Sequence, residues 1–311
     1  YSLEGAKYWI YTDQACTKRY GTVELTTDAT GKTNTIKVPA GKYWAKEQSP
    51  SKGYKLCGEA HGITAAFGKD GVFSCKEQPL NDPGLVRLLK KDSFDEDNDL
   101  SGAEYTITYY ANTDGNTSGT HTRQWVMKTD KDGILRLDVN SSVVSGSYYQ
   151  SEKGKMVYPI GTYTIQETKA PVNYVKDSTV YIADCIQNGN SVKFAFRSTG
   201  TGSVISKNDA TGEIIHKETP KQYGIKIKKV DNDTQKNEPQ GNATLKDATF
   251  DIIYTGDGTV GFEDDATKHF KKGDVVTTIT TDENGVAQTS ANALYAGTYQ
   301  VVETGSPYGY D

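Results

Sequence analysis

The feature that most constrains this chain is a set of three sequence blocks that recurs three times in the same order. Three segments share the form L-x-G/D-A-x-aromatic-x-I: Leu3, Ala6, Tyr8 and Ile10; Leu100, Ala103, Tyr105 and Ile107; Leu245, Ala248, Phe250 and Ile252. Each is followed by T-D-x-x-G, at Thr27-Asp28 with Gly31, Thr129-Asp130 with Gly133, and Thr281-Asp282 with Gly285. A third block then reads AGKYWAKEQSPSKGY, IGTYTIQETKAPVNY and AGTYQVVETGSPYGY. Self-similarity of this kind requires three copies of one structural unit.

Each block has a physical reading. Aromatic and Ile at i and i+2 share one strand face, so the first block enters a half-buried strand. The T-D-x-x-G block joins two strand-like runs and reads as a hairpin turn, its Gly supplying positive φ. In the third block Tyr43, Ala45 and Glu47 share a face, as do Tyr163, Ile165 and Glu167, and Tyr299, Val301 and Glu303. Parity thus puts a Glu on the apolar face at the end of a strand three times. The Pro that follows ends the strand, because it cannot donate to a ladder.

Segments 79–84 (PLNDPG) and 218–224 (ETPKQYG) punctuate the chain and divide it into units 1–82, 83–221 and 222–311. Each linker leads into an alternating run that places two apolar residues and then a Lys on one face: Val86, Leu88 and Lys90, then Ile225, Ile227 and Lys229. A solvated strand end explains either Lys alone. If both polar ends enter one core, Lys90 and Glu167, like Lys229 and Glu303, must meet each other or an acyl acceptor, or rise to the core's edge and reach water, since an isolated buried charge costs several kcal/mol.

Composition narrows the function. The 311 residues are 35% hydrophobic and carry 40 acidic against 35 basic side chains. That balance leaves no electrostatic footprint for nucleic acid, and no run of about 18 apolar residues exists to span a bilayer. Tyr at 21, Gly at 31 and only two Met favour strands and tight turns over helices. Four cysteines, Cys16, Cys57, Cys75 and Cys185, lack C-x-x-C spacing; one pair among the first three closes a disulfide, or all stay reduced as small buried hydrophobes. The chain opens at Tyr1 without a Met or a signal sequence, as a mature or trimmed segment does. Asp95, Asp97 and Asp99 alternate as calcium ligands do, yet the loop lacks the Gly and distal Glu of an EF-hand and reads as a solvated acidic turn. His61, His121, His216 and His269 are scattered without metal-like pairing, and no nucleophile elbow or phosphate loop is present. Trp9 and Trp44 lie out of phase with their inward Tyr neighbours and are expected to face outward, as a cross-strand pair or, with Trp125, a sugar platform.

Lys-x-Asp in the first strands (Lys90-Lys91-Asp92 and Lys229-Val230-Asp231), the L-x-G-A-x-F/Y block and the G-x-Y-x-x-x-E-T-x-A/S-P-x-x-Y block resemble the Cna B-type, or SpaA-like, domains. These are transthyretin-like β-sandwiches of Gram-positive surface adhesins and sortase-assembled pili. The resemblance covers nearly the whole chain as three units, with unit one, EQSPSKGY, the looser match. It implies an intramolecular isopeptide bond: a first-strand Lys attacks an Asn or Asp on the last strand, assisted by the Glu of the third block. Burial disfavours a charged amine and favours a protonated carboxyl, and folding supplies the effective concentration.

This sequence departs from that pattern. Unit one opens at its second block, so its Lys strand is expected upstream of Tyr1; unit three stops after its Glu block, so its last strand is expected past Asp311. Either unit is then expected to leave unpaired strand edges. Aligned by their Pro, GVFSCKEQP and GEIIHKETP put Glu77 and Glu218 where the family has Asn or Asp. A Glu is one methylene longer, which is expected to misplace its carbonyl; the other acceptors for unit two are Asn208 and Asp209. Unit two is therefore expected to set Lys90 beside Glu167 without a bond, and unit three to set Lys229 beside Glu303.

The reading is an all-β chain of tandem Cna B-type sandwiches. Its function is that of a structural stalk or pilin-like segment at the surface or cell wall of a Gram-positive bacterium, with no turnover enzyme, cofactor or metal. Its partners are neighbouring domains or subunits of the same surface protein or pilus. The alternative is an adhesin module in which excursions near 109–126 and 140–158 recognise a host protein or glycan.

Overall fold

The computed structural model describes residues 1–82, 87–92, 98–196, 206–208, 213–262 and 265–311. Among them the one helical element is a single 3-10 turn, Asn140–Ser142; everything else regular is strand. No helix is long and apolar enough to cross a membrane.

Unit two shows the architecture most fully. A six-stranded antiparallel sheet runs in the spatial order Val143–Gly146, Arg123–Lys128, Glu104–Tyr110, Gly161–Lys169, Val180–Asn188, Ser191–Phe196. Facing it is a four-stranded sheet ordered Ser206–Asn208, Glu213–Glu218, Arg87–Asp92, Ile134–Arg136. The first and last long strands of the unit, those of Lys90 and Glu218, lie side by side and parallel, with Leu88 opposite Ile214 and Lys90 opposite His216. Leu88, Leu135 and Ile214 from one sheet pack with Tyr105, Ile107, Trp125, Tyr163, Ile165 and Tyr181 from the other, all buried. This is a sandwich core built by alternation on both inner faces. Trp125, only 1% exposed, belongs to it and cannot serve as a sugar platform; Trp9 instead lies half-exposed under the Arg19 guanidinium, 3.7 Å away.

The repeat is visible as repeated bonds. The glycines of the three T-D-x-x-G turns have φ of +78° (Gly31), +70° (Gly133) and +68° (Gly285), a region that side chains with a Cβ rarely enter. The threonine before each turn ties two blocks together. Thr27, Thr129 and Thr281 each accept from the N–H of the block's alanine at 2.9, 3.0 and 2.9 Å. The same hydroxyls donate to the carbonyl of the block's leucine, Leu3, Leu100 and Leu245, at 2.5, 2.9 and 2.7 Å. The tyrosine of the third block likewise donates to a carbonyl four residues back in every unit: Tyr43 to Pro39, Tyr163 to Pro159, Tyr299 to Tyr295. The block's alanine, aromatic and Ile are buried in all three units; of the three block leucines Leu3 is exposed, lying against the Gly31 turn.

The outer units are simpler. Unit one has one four-stranded sheet, ordered Arg19–Thr26, Lys7–Tyr11, Gly41–Ser49, Ala60–Ala65. Segment 71–78, which aligns with the Glu218 strand, joins no ladder among the described residues. Unit three has a three-stranded sheet, Val275–Thr280, Thr249–Tyr254, Tyr299–Gly305, faced by the pair Lys226–Lys228 and Val286–Gln288, beside a further four-stranded sheet. The Tyr299 strand is here an edge strand, and Val301, expected inside, is 39% exposed. Parity fixes its face, but the described residues of unit three provide no strand to cover it as Glu213–Glu218 covers the Glu167 strand.

Candidate functional site

Parity brings Lys90 inward at the end of Leu88-Leu89-Lys90, and brings Glu167 inward at the end of Tyr163-Thr164-Ile165-Gln166-Glu167. The two sheets superpose these polar ends. Lys90 Nζ lies 2.8 Å from Glu167 Oε1, and both side chains are fully buried. Lys90 Nζ also contacts Glu218 Oε1, on the adjoining strand. Glu218 stands two positions past His216, the residue paired with Lys90. The Glu218 carboxyl, expected to be misplaced by its length, contacts the amine. The Tyr105 ring lies beneath, its centroid 5.5 Å from Nζ.

Burial favours the neutral forms of Glu218 and His216. Burial pushes the Glu218 carboxyl up to about 7, with Lys90 opposing the shift. Glu218 Oε2 is buried without a hydrogen-bond partner, which penalises an ionised carboxylate further. Behind the carboxylates lies a network that the sequence reading did not foresee. Asp177 donates its backbone N–H to Glu167 Oε2 at 2.5 Å. Tyr181 donates to Asp177 Oδ2 at 2.7 Å and sits 3.1 Å from His216 Nδ1. His216 Nε2 is 3.3 Å from Glu218 Oε1. Burial pushes the His216 imidazole down, toward its neutral form. Burial would raise Asp177, but bonds from Thr179 and Tyr181 outweigh it and hold that carboxyl low. The only sequence signal for this group was the parity that sets His216 and Glu218 on one face.

The other expected residues fall as follows. Lys229 Nζ contacts Glu303 Oε1 in unit three and lies 5.8 Å from the Phe250 ring, as Lys90 lies over Tyr105. That pair, expected in a core, is partly open to solvent, with side chains 15% and 34% exposed, for want of the cover described above. The Asn208 side chain and all of Asp209 lie outside the described residues, as do Asp95 and Asp97; Asp99 caps a local turn by accepting from the Ser101 N–H. In unit one Glu47 is buried and accepts from the Cys57 N–H at 2.6 Å, while Tyr8 donates to Glu77 at 2.8 Å. Cys57 and Cys75, one of the pairs left open as a disulfide, are free thiols here.

Sandwiches built from these repeated blocks have a prealbumin-like fold, and the comparisons agree. The chain belongs to the SpaA family of prealbumin-like fold domains, which matches residues 1–77, 84–200 and 223–311. Among solved structures it is similar to the Bacillus anthracis TIE protein, with TM-score 0.55 and 23% identity over 98% of this chain, a likeness of fold. The chain spans 43% of that protein's length. Weaker matches are a C-terminal fragment of the pilus adhesin SpaC from Lactobacillus rhamnosus GG and BcpA, the major pilin subunit of Bacillus cereus. The first has TM-score 0.38 and 15% identity over 70% of this chain and 91% of that one. The second has TM-score 0.28 and 15% identity over 98% and 84%. No curated protein sequence matches the chain.

Proposed function

We propose that this chain is a load-bearing, pilin-like stalk segment of a Gram-positive cell-surface protein, and that its middle unit is closed by an isopeptide bond between Lys90 and Glu218. The observation that carries the reading is the fully buried Lys90 amine held between Glu167 and Glu218, on the first and last strands of one domain. The chemistry balances as a condensation. The neutral Lys90 amine attacks Cδ of the protonated Glu218; the Nζ–Cδ bond forms and a Cδ–O bond breaks. Glu167 takes a proton from the nitrogen and returns one to the departing hydroxyl, and one water leaves. The unpartnered Oε2 of Glu218 is an oxygen that such a step disposes of. A buried charge pair, costly to desolvate, becomes a neutral amide.

The placement suits mechanical work. Load entering unit two by the Lys90 strand leaves by the adjacent, parallel Glu218 strand, so a bond between them bypasses the sequence in between. Surface or cell-wall location, and partnership with neighbouring domains or subunits of the same fibre, follow from this reading. Pulling the full chain between its ends tests it. Unit two should never release the chain between Lys90 and Glu218, which lie 128 positions apart, whereas Lys90→Ala should add an extension of about 440 Å, at about 3.4 Å per residue. Release of that length by the unaltered chain would reject the stalk mechanism.

A further inference from the structure

Unit one carries a different set of donors at the positions that form the polar network of unit two. The two units stay in register through this region. Glu47 holds the Cys57 N–H as Glu167 holds that of Asp177, and Tyr54 bridges to Pro79 as Tyr174 bridges to Pro220. His61 pairs with Ala45 as Tyr181 pairs with Ile165. In this alignment Asp177, Tyr181 and His216 become Cys57, His61 and Cys75. A hydrogen-bonded carboxylate, phenol and imidazole have been exchanged together for two thiols and an imidazole.

From this geometry we infer that Cys57, His61 and Cys75 form a binding site for a thiophilic divalent cation, with Zn2+ as its natural probe. Both Sγ atoms and a ring nitrogen of His61 lie within 4.8 Å of one another, with Cys57 Sγ 3.7 Å from His61 Nε2. A tetrahedral zinc, about 2.3 Å from sulfur and about 2.0 Å from nitrogen, needs ligand edges of about 3.5 to 3.8 Å. Only small side-chain shifts separate the group from that arrangement. Two sulfurs and an imidazole select zinc over the hard, oxygen-seeking cations. The supports are present: Glu47 fixes the Cys57 backbone, and the His61 ring stacks on Phe73 at 5.8 Å and 23°. All three side chains are partly exposed, so an ion can enter and a water can complete its shell.

The test uses the full chain, reduced with a phosphine and freed of metal. Zn2+ titrated against a chromophoric chelator should bind one ion per chain. Co2+ in its place should show thiolate-to-metal charge transfer and the absorption of a tetrahedral centre. Cys57→Ser, Cys75→Ser and His61→Ala should each weaken binding by more than about 100-fold, the upper range seen for loss of an outer-shell partner. Cys16→Ser with Cys185→Ser should leave it unchanged. Three outcomes would overturn the site: no stoichiometric zinc, binding that survives the Cys57 and Cys75 changes, or a Cys57–Cys75 disulfide that the phosphine does not open. The cobalt spectrum of the unaltered chain decides the matter even if a variant misfolds.

Discussion

Replacing Glu167 with glutamine keeps the size of the side chain while removing the carboxyl proposed to relay the proton. The Lys90–Glu218 contact then persists as a noncovalent pair and the bond should not form. Its absence frees a loop of 128 positions in the unfolded chain, and the chain-entropy relation gives that closure about 5 kcal/mol. For a domain of this size about 3 °C accompanies each kcal/mol, so unit two should melt about 15 °C lower. Since three domains do not unfold as one transition, the assay needs a reporter confined to unit two. Trp125 in its core serves, in a background where Trp9 and Trp44 are replaced by phenylalanine. Guanidinium or thermal unfolding followed by Trp125 fluorescence compares the two proteins. A Glu167→Gln protein within about 1 kcal/mol of its parent would refute the reasoning, because losing the cross-link must cost more than an isosteric amide does.

Other consequences follow from the same geometry. In the unlinked Glu167→Gln protein the charge of Glu167 no longer adds to the shift, but burial, its largest cause, still holds the folded Glu218 carboxyl above its ordinary 4.5. Its contribution is therefore full below pH 4.5 and is lost as pH rises through the raised folded value; denaturation midpoints should fall as pH rises above about 4.5 in this variant and not in the bonded parent. Thr129→Val preserves shape but orphans the Ala103 N–H and Leu100 carbonyl, so unit two should lose about 1–3 kcal/mol in equilibrium unfolding; a change below 0.5 would deny the threonine its tie. Lys229→Ala should shift unit three by no more than about 1 kcal/mol in the same measurement, because its pair with Glu303 is partly solvated.

Much of this was legible in the sequence, and the reason it was is specific. A period of two fixes which face a side chain takes, so Lys90 and Glu167 could be sent into one core from their spacing to Leu88 and Ile165 alone. The three turn glycines announced themselves by their fixed offset from Asp. What parity cannot supply is the cover over a face: Tyr299, Val301 and Glu303 alternate as Tyr163, Ile165 and Glu167 do, yet Val301 meets solvent at the edge of its sheet. Nor does it give reach along a strand, which is why the contact of Glu218 with the amine could not be read from its position. The network of Asp177, Tyr181 and His216, which Cys57, His61 and Cys75 replace in unit one, joins a loop to two strands of opposite sheets. Such a group becomes visible only when the repeats are laid over one another in space. The bridging threonines were in plain view in the T-D-x-x-G blocks but were read only as the start of a turn.

The central claim is that unit two is covalently closed, and the mass of the whole denatured chain tests it most directly. The unaltered protein should weigh one water less than its 311-residue sequence, with a branched peptide joining Lys90 to Glu218 after proteolysis. Glu218→Gln should instead lose one ammonia, and Lys90→Ala nothing. An unaltered chain at its full sequence mass, with Lys90 and Glu218 in separate linear peptides, would contradict the account and leave the site a buried ion pair.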